Sequence, residues 1–515
     1  MILLGVNMQI TTVDLIIILV YLITIAVIGS LSGGKQRSTQ DYFMGGKNIP
    51  WWAVTFAIVA AETSSLTFIS IPGLAYISNL NFLQMTIGFL IARILVAFFF
   101  LPAYRKGELV TAYTFLENRF GIRTRRFASV VFLFTRVAAD GVRLFSTAIP
   151  LAIIFKSSAF FADWGNIQIY ILSIIIISIV SLAYTYTGGV KGVIWADALQ
   201  MFIYIGGALL ALIVLLRSLP DTFSWATLAA QSKTQIFNFN FGKDLAEFFS
   251  KPYTLISSLL GGIFLSMASH GTDQLIVQRL LTTRSLRDSQ KAIIGSGVVI
   301  VFQFALFLVV GLLLYGFFNG ISLSDPAAHF HKADEIFPYF IIYFLPAGIK
   351  GIIIAGLFAA ALSTLAGSIS SLSSSAMLDL YKPLAKIPAD PARDLRISRI
   401  LTIFWAVILT GVAFAFIRIQ QSVVEIALGI ASITYGGLLG TFLLGLFFKK
   451  VMQQAAMIGF ACGILAMMLL IVIPQLLGIK PLVHWTWYVA IGTTTTLLVG
   501  SGYQKLRNSL FKQSG

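Results

Sequence analysis

The sequence predicts an all-α protein that crosses a membrane about thirteen times. Of its 515 residues, 58% are hydrophobic and only 11% are charged, and the mean hydropathy is +0.90. Soluble proteins carry about 25% charged residues. Apolar runs such as "LIIILVYLITIAVIG" and "IYILSIIIISIVSLAY" recur along the whole chain and approach the ~20 residues that a spanning helix needs. Composition and run length together indicate a polytopic helical membrane protein.

The apolar runs define the predicted spans in chain order. Between them, the loop at 218–252 is the longest connection, and the loop at 319–347 contains "HKADEIFPYFIIYFLP", which predicts a short re-entrant or surface helix. The spans are 13–32, 51–76, 82–104, 127–155, 168–187, 193–217, 253–279, 292–318, 348–378, 398–418, 422–448, 453–477 and 484–502.

The net charge of +16 is explained by topology and does not require nucleic acid as a partner. Basic residues concentrate in "YRKGEL…ENRFGIRTRRF", "QRLLTTRSLRDSQKA", "YKPLAKIPADPARDLRISR" and "QKLRNSLFKQ", which all fall on one side of the predicted membrane. Lys and Arg mark the cytoplasmic side. The first run lacks the features of a cleaved signal peptide. We therefore expect a bacterial inner (plasma) membrane protein with its N-terminus outside and its C-terminus in the cytoplasm.

Several kinds of chemistry are excluded by the residue inventory. A single cysteine, Cys462, rules out a disulfide framework, and four scattered histidines give no zinc spacing. The segment "GSLSGGKQ" approaches a phosphate-binding loop, but Gln36 replaces the hydroxyl residue that the motif needs. Because no nucleophile, base or metal set converges, we expect neither an enzyme nor a bound cofactor.

Two predicted spans are interrupted by polar or helix-breaking residues. The span 51–76 has a polar centre at residues 62–65 and a possible break at Pro72–Gly73, and the span 253–279 has Gly261–Gly262 and a polar cluster around His270. Interrupted helices at corresponding places in two halves indicate a transporter site. They divide the chain into an extra helix and loop (1–50), a first repeat (51–217), an outer loop (218–252), a second repeat (253–450) and two C-terminal helices with a short tail (451–515).

The segment "LFAAALSTLAGSISSLSSSAM" (357–377) is unusually rich in hydroxyl groups for a membrane span. Small polar residues often line close helix–helix contacts, which suits the serines from Ser368 onward. Ser363 and Thr364 lie near mid-span, where hydroxyls and unwound backbone carbonyls can supply oxygen ligands for sodium. Residue types alone leave both interpretations open.

The segment from "ADEIFPYFIIYF" through "LSSSAMLDLYKP" resembles the most diagnostic region of the sodium:solute symporter family, which includes proline, sugar, sialate and monocarboxylate carriers. Four other segments resemble further signatures of that family, in the family's order. They are "QDYFMGGKNIPWW", "TAYTFLENRFG", "TYTGGVKGVIWADALQMF" and "GTDQLIVQRLLTTRSLRDSQKA". The resemblance covers roughly residues 13–450.

This resemblance implies a leucine-transporter-like core of two inverted five-helix repeats, with one helix before them and two after. It also implies a sodium-coupled symporter that imports a small polar or anionic organic solute, with sodium as the co-substrate. Matched to the family's motifs, the sodium ligands are the backbone carbonyls of Ala60, Thr63 and Ala360 and the hydroxyls of Ser363 and Thr364.

The resemblance also bears on sodium stoichiometry. Some relatives bind a second sodium ion through two further hydroxyls, which this chain replaces with Ala366 and Gly367, and through an aspartate matched by Asp197. We therefore predict one sodium ion, with Asp197 as a coupling or structural residue.

The predicted solute site lies beside the break in the first core helix. By position it includes Glu62, Ser64 and Thr67, with Gln84 and Gly88 from the next helix. An intramembrane carboxylate indicates a functional site, although Glu62 could equally be a structural charge paired with an arginine.

An arginine pair in the 127–155 span gives a further candidate. Arg136, Asp140 and Arg143 share one helix face, so they could form an internal salt bridge. Alternatively one arginine binds an anionic solute. Sialate-type relatives use an arginine in this helix, and we assign Arg136 to that role.

Two other functions remain compatible with the sequence. A proton-coupled carrier of the same fold would use Glu62 as its proton site, and a transporter-like sensor would add a signalling domain. The expected partners are sodium, a small-molecule solute and the lipid bilayer, with no nucleic acid and no obligatory protein partner. Sugars, amino acids, monocarboxylates and other carboxylates all remain possible solutes.

Overall fold

A computed structural model describes residues 10–106, 109–156, 159–385, 390–417, 423–479 and 481–513. Within these ranges the chain is helical apart from its connections and one isolated bridge between Ile49 and Thr283. The predicted all-helical class is therefore confirmed. Residues 418 and 422, which end one predicted span and begin the next, lie outside the described residues.

The helices follow the predicted spans closely. We label them α1 (Thr12–Ser32), α2 (Thr39–Met44), α3 (Trp51–Glu62), α4 (Ser65–Ile77), α5 (Leu83–Leu95), α6 (Ala112–Phe120), α7 (Ile122–Lys156), α8 (Asn166–Ser218), α9 (Leu255–Gly271), α10 (Gln274–Leu281), α11 (Leu286–Phe317), α12 (Ala333–Phe344), α13 (Ile349–Ser375), α14 (Pro391–Phe416), α15 (Val423–Phe447), α16 (Gln453–Leu476) and α17 (Tyr488–Gln513). Helix α5 continues through a π-helical turn to Lys106, and α13 continues through another to Tyr381.

By length and composition, eight helices in the described part of the chain could cross a membrane, or up to ten if each of two bent pairs counts as one span. The α8 segment has 53 residues and consists of two helices that meet at a kink; a straight helix of that length would be about 80 Å long, whereas a hydrocarbon core is about 30 Å thick. The segment is kinked at Gly189, whose φ of 55° favours glycine. The kink lies between the predicted spans 168–187 and 193–217.

The two bent pairs correspond to the interrupted spans, but the breaks lie elsewhere than the helix-breaking residues indicated. Helices α3 and α4 meet at 63°, and α9 and α10 meet at 60°. The first break is at Thr63–Ser64, and Pro72 lies inside α4. The second is at Thr272–Asp273, and Gly261 and Gly262 lie inside α9. The expected break at Pro72–Gly73 was therefore wrong.

The glycines beside these positions serve helix packing instead. An added Cβ at Gly261 would lie 2.5 Å from the Thr486 carbonyl oxygen, and one at Gly262 would lie 2.5 Å from that of Met85. At Gly73 the neighbouring atom is the Ala333 carbonyl oxygen at 2.3 Å. Each glycine lets another backbone approach closely, as small residues do in membrane helix packing.

Helix α13 lies at the centre of the protein. Every residue from Ile353 to Asp379 is buried. The helix packs against α8, where Gly356 lies against Tyr204. Its N-terminus is held by the buried carboxylate of Asp14, which accepts hydrogen bonds of 2.8 Å from the backbone amides of both Gly348 and Gly351. A carboxylate at a helix N-terminus satisfies free amides and complements the helix dipole.

Two connections cover one end of the helices. The 218–252 loop contains short helices at Trp225–Ala230 and Leu245–Ser250, and α12 confirms the short helix predicted in the 319–347 loop. In the first loop, Lys233 donates a 2.7 Å hydrogen bond from Nζ to the Tyr76 carbonyl and lies over the ring of Tyr315. Burial lowers the pKa of this lysine. The lysine ties the loop to the C-terminal end of α4.

Candidate functional site

The break between α3 and α4 exposes backbone carbonyls inside the protein. Thr63 ends α3, and its amide donates to the Val59 carbonyl at 3.0 Å, as does its own hydroxyl at 2.9 Å. The last four carbonyls of a helix have no partner within that helix. Those of Ala60 and Thr63 belong to this group, and both residues are buried. They are therefore suited to bind a cation.

The hydroxyl pair of α13 lies on a helix that packs against both α3 and α4. Ser363 is fully buried, and its hydroxyl faces the Asp197 carboxylate, although the two groups do not form a hydrogen bond of standard geometry. The Thr364 hydroxyl donates to the Ala360 carbonyl at 3.0 Å, which leaves its lone pairs available. A buried hydroxyl needs a polar partner, so Asp197 and a bound ion are the two groups that Ser363 can serve.

A small cavity separates α13 from the broken helix. Its volume is about 10 Å³, close to what one water molecule needs. Ser64, which caps the N-terminus of α4, and Thr364 both line it. Its other lining residues are Asp140, Arg143, Leu144, Thr147, Ala361 and Leu365.

The Asp197 carboxylate forms a salt bridge with an arginine side chain. Arg279 on α10 donates to Asp197 Oδ2 at 2.8 Å, and both side chains are buried. An added Cβ at Gly367 would lie 2.6 Å from the guanidinium of Arg279. The guanidinium thus lies against the helix at a position where some relatives have a sodium-binding hydroxyl.

A larger cavity, of about 140 Å³, lies between the two broken helices. Its lining comes from α3, α5, α7, α9, α10, α15 and the start of α17. The polar lining residues are Glu62, Arg136, Arg143, Ser266, Ser269, His270, Ser432, Tyr435 and Thr486. The apolar ones are Ala61, Phe89, Leu265, Leu275, Ile276, Ala431, Trp485 and Val489. A solute of a few polar groups would match this surface.

Glu62 lines this cavity and at the same time forms a salt bridge with a buried arginine that does not line the cavity. Its carboxylate forms a salt bridge with the fully buried Arg93, and 20% of its side chain is exposed. Arg93 also donates to the Ser296 hydroxyl at 2.9 Å. His270 Nε2 lies 3.5 Å from the same carboxylate oxygen, and its Nδ1 lies 2.8 Å from the Ser269 hydroxyl. Glu62 is therefore paired with an arginine and also lines the cavity.

The two arginines of α7 differ in how strongly they are held. Arg136 donates to Asp273 Oδ2 at 2.6 Å and approaches Asp140 at 3.4 Å. Asp273 also caps α10 and accepts from the Tyr435 hydroxyl at 2.8 Å. Among the described residues, Arg143 forms one salt bridge, to Asp140 at 3.4 Å, and 29% of its side chain is exposed. It lines both cavities. Arg143 is thus the more available of the two.

The structure brings only some of the predicted solute residues to a cavity. Glu62 and Arg136 line the larger one, and Ser64 lines the smaller one. Thr67 lies one turn beyond Ser64, whose hydroxyl is 3.3 Å from the Thr67 hydroxyl.

Gln84 and Gly88 are engaged in helix and loop packing instead. The Gln84 side chain hydrogen-bonds the Tyr253 carbonyl and the Asn238 amide. An added Cβ at Gly88 would lie 2.6 Å from the Leu259 carbonyl oxygen. Neither residue is among those that line the two cavities.

Four site residues were not assigned a role from the sequence. Asp273 and Arg279 lie in the quoted segment "GTDQLIVQRLL", where two charges inside an apolar span were the available signal. Arg143 was considered as a salt-bridge partner, and the solute role was assigned to Arg136 instead. Tyr435 gave no signal, since a tyrosine in a span is common near membrane interfaces.

The profile of the sodium:solute symporter family matches residues 42–463. The chain belongs to the sodium:solute symporter family. The resemblance stated from the sequence motifs is therefore confirmed, and the match includes both broken helices and α13.

Named relatives in this family are sodium-coupled carriers. The chain is 27% identical over 451 residues to the sodium/sialic acid symporter SiaT of Proteus mirabilis, covering 87% of each chain. It is 28% identical over 498 residues to the sodium/sialic acid symporter NanT of Aliivibrio fischeri, covering 95% of this chain and 92% of the relative. It is 26% identical over 477 residues to the sodium/glucose cotransporter of Vibrio parahaemolyticus.

Solved structures show the same fold. A substrate-bound, outward-open Na⁺-coupled sialic acid symporter superposes with a TM-score of 0.83 at 26% identity, covering 96% of this chain and 98% of the other. Mhp1, a nucleobase-cation-symport-1 family transporter, superposes with a TM-score of 0.52 at 11% identity. The second likeness concerns the fold alone.

The Glu62–Arg93 pair yields a stability prediction. Breaking a buried ion pair by removing one partner costs about 3–5 kcal/mol, because the other charge stays buried and uncompensated. We expect Glu62→Gln and Arg93→Met each to lower the melting temperature in detergent, and the double variant to recover part of the loss.

The matched control is Glu247→Gln, which breaks the exposed pair with Lys251, worth about 0–1 kcal/mol. This change should leave the melting temperature nearly unchanged. If the two losses at Glu62 and Arg93 simply add in the double variant, the pair does not stabilise the fold as described.

Proposed function

We propose that this member of the family is a sodium-coupled symporter that imports a small organic carboxylate. One observation carries the choice of solute. Arg143 lines a polar cavity, and its one salt bridge within the described part of the chain is 3.4 Å long, so the guanidinium has further donors that can meet an anion. A guanidinium offers paired donors that match a carboxylate. Two of the relatives are sodium/sialic acid symporters, and sialic acid is a carboxylate, which supports the same solute class.

The charges around the cavity favour an anion once sodium is bound. Three arginines, Arg93, Arg136 and Arg143, are balanced by Glu62, Asp140 and Asp273. An uncompensated charge in this environment costs several kcal/mol. One sodium ion and one monocarboxylate together would keep the balance, whereas sodium with a neutral sugar would not.

The sodium site that we propose consists of the carbonyls of Ala60, Thr63 and Ala360 and the hydroxyls of Ser363 and Thr364. Support comes from the helix break at Thr63, from the Ser363 hydroxyl, which has no hydrogen bond of standard geometry among the described residues, and from the burial of all five residues. Sodium is a hard cation, and oxygens from an unwound helix are its usual ligands in transporters.

We propose a stoichiometry of one sodium ion per solute. Ala366 and Gly367 provide no side-chain oxygen. Arg279 already neutralises Asp197 from α10. Asp197 is therefore assigned a structural or coupling role.

The solute site is proposed to contain Glu62, Ser64 and Thr67, with Arg143 as the anion-binding residue. Arg136 then has a structural role, because it forms salt bridges with Asp273 and Asp140 beside the site. Gln84 and Gly88 are left out of this proposal because of the packing roles described above.

For the architecture we propose thirteen spans with two inverted repeats at 51–217 and 253–450. The comparable bends of α3–α4 and α9–α10, one in each segment, support the repeat. The distribution of basic residues supports a cytoplasmic C-terminus and an outer N-terminus in a plasma membrane.

A proton-coupled mechanism through Glu62 is less well supported. The carboxylate faces Arg93 in a buried salt bridge, which favours its charged form. A group held as an anion is poorly suited to take up and release a proton in each cycle.

The sodium site is tested by Ser363→Ala and Thr364→Ala. Each change removes one ligand oxygen without adding bulk, so the apparent sodium affinity should fall at least tenfold while the protein still folds. Sodium-dependent uptake by proteoliposomes, measured across a sodium titration with potassium as replacement, gives that affinity.

Ser373→Ala is the matched control, because this buried serine bonds only the Ile369 carbonyl of its own helix. It should keep the wild-type sodium affinity. Unchanged sodium dependence in both Ser363→Ala and Thr364→Ala would show that the site lies elsewhere.

The solute class is tested by uptake of sialic acid, pyruvate, propionate, glucose and alanine, each with and without sodium. We expect sodium-stimulated uptake of at least one of the carboxylates and not of glucose. Arg143→Gln should raise the KM for that carboxylate about 10- to 100-fold, since hydrogen bonds to charged groups contribute about 1.5–3 kcal/mol.

Arg143→Lys serves as the companion variant, because it keeps the charge and loses the paired donors. Its KM for the carboxylate should lie between that of Arg143→Gln and that of the wild type. Sodium-driven uptake of glucose alone, or an unchanged carboxylate KM in Arg143→Gln, would contradict the proposed solute class.

A further inference from the structure

One buried carboxylate connects the proposed anion site with the proposed sodium site. Asp140 on α7 is 2% exposed. On one side Arg143 approaches its Oδ1 at 3.4 Å, and on the other side the Ser368 hydroxyl donates to its Oδ2. Arg136 completes its surroundings at 3.4 Å. Asp140 therefore contacts both Arg143 and the helix that carries the proposed sodium ligands Ser363 and Thr364.

Ser368 lies one helical turn beyond Thr364. Its hydroxyl is also 3.0 Å from the Thr364 carbonyl. A hydroxyl carries a single proton, so it donates to Asp140 or to that carbonyl, and not fully to both. The position of this proton thus links Asp140 to the backbone of a proposed sodium ligand.

The small cavity joins the same groups. Ser64 and Thr364, from the two sides of the sodium region, line it together with Asp140 and Arg143. Its volume of about 10 Å³ is about what a single water molecule needs. Charges separated by so little water interact more strongly than charges in bulk water.

The local charges make anion binding dependent on a cation. Arg136 and Arg143 are balanced by Asp140 and Asp273. An anion at Arg143 would leave this group with one excess negative charge. A sodium ion at Ser363 and Thr364, about one turn from Ser368, would restore neutrality.

We propose that Asp140 is a positioning residue that couples the two ligands: its charge weakens anion binding at Arg143 until sodium is present. This inference rests on the proposed function. Coupling between two ligands is reciprocal and is typically 5- to 150-fold in affinity. Asp140 itself need not touch either ligand.

The test uses proteoliposomes containing the full chain, with sialic acid, pyruvate and propionate each used as the solute. The KM for uptake is measured at limiting and at saturating sodium. In the wild type we expect the KM to fall at least tenfold as sodium rises. In Asp140→Asn the anion site keeps an excess positive charge without sodium, so the KM should change less than threefold over the same range.

Two further variants separate coupling from structure. Asp140→Glu retains the charge and should restore much of the sodium dependence. Ser368→Ala removes only the hydroxyl link and should reduce the sodium dependence, whereas Ser371→Ala, whose hydroxyl donates to the Ser368 carbonyl of its own helix, should behave as wild type.

The outcomes distinguish this inference from the proposed function. Wild-type uptake that sodium does not stimulate would overturn the proposed function and the coupling with it. Sodium-stimulated wild-type uptake, with the same sodium dependence of KM in Asp140→Asn, would overturn the coupling alone. If Asp140→Asn does not fold, Ser368→Ala decides: behaviour identical to Ser371→Ala overturns the role of Asp140.

Discussion

The main constraint on this structure lies where α3 ends at Glu62, because the break there leaves backbone carbonyls without hydrogen-bond partners in the helix. Inside a bilayer, each polar backbone group needs a partner within the protein or a bound ligand. At this break, Ser64 caps the next helix, and α13 brings the buried Ser363 hydroxyl, which faces the Asp197 carboxylate without a hydrogen bond of standard geometry. Helix α13, which is buried from Ile353 onward, is held in place at its N-terminus by Asp14. A cation at the break would satisfy both sets of oxygens, so fold stability and ion binding share one structural feature.

Charge balance is the second constraint, and it connects the ion with the solute. The three buried or half-buried arginines near the cavity each face a carboxylate, and Arg279 likewise faces Asp197. Arg143 is the most loosely held of these arginines. In a low-dielectric region, adding one charged ligand is costly unless a second ligand compensates it. Sodium and a carboxylate are complementary in this sense, and each therefore raises the affinity for the other.

Hydropathy and motif order predicted the fold well, because helix length and apolar composition are local properties. Helix breaks were harder to locate. Pro72 is accommodated inside α4, while Thr63 and Ser64, which carry no strong breaking signal, end one helix and cap the next. The proposed sodium residues were named from motif positions, but a choice between Arg136 and Arg143 could not be made in that way. Both lie on one face of α7, and what distinguishes them is Asp273, which lies 137 residues from Arg136 in the chain and approaches it only in the folded protein.

The central claim is that one sodium ion balances one carboxylate, and the movement of charge tests it most directly. Proteoliposomes with a fixed sodium gradient can be held at different membrane potentials by a potassium gradient with valinomycin, and the steady accumulation of a transported monocarboxylate measured at each potential. The account predicts electroneutral transport, so the accumulation ratio should follow the sodium gradient and remain unchanged by potential. A change of about tenfold per 59 mV would mean that one net charge moves in each cycle. That result would contradict the one-to-one balance and would require a second cation.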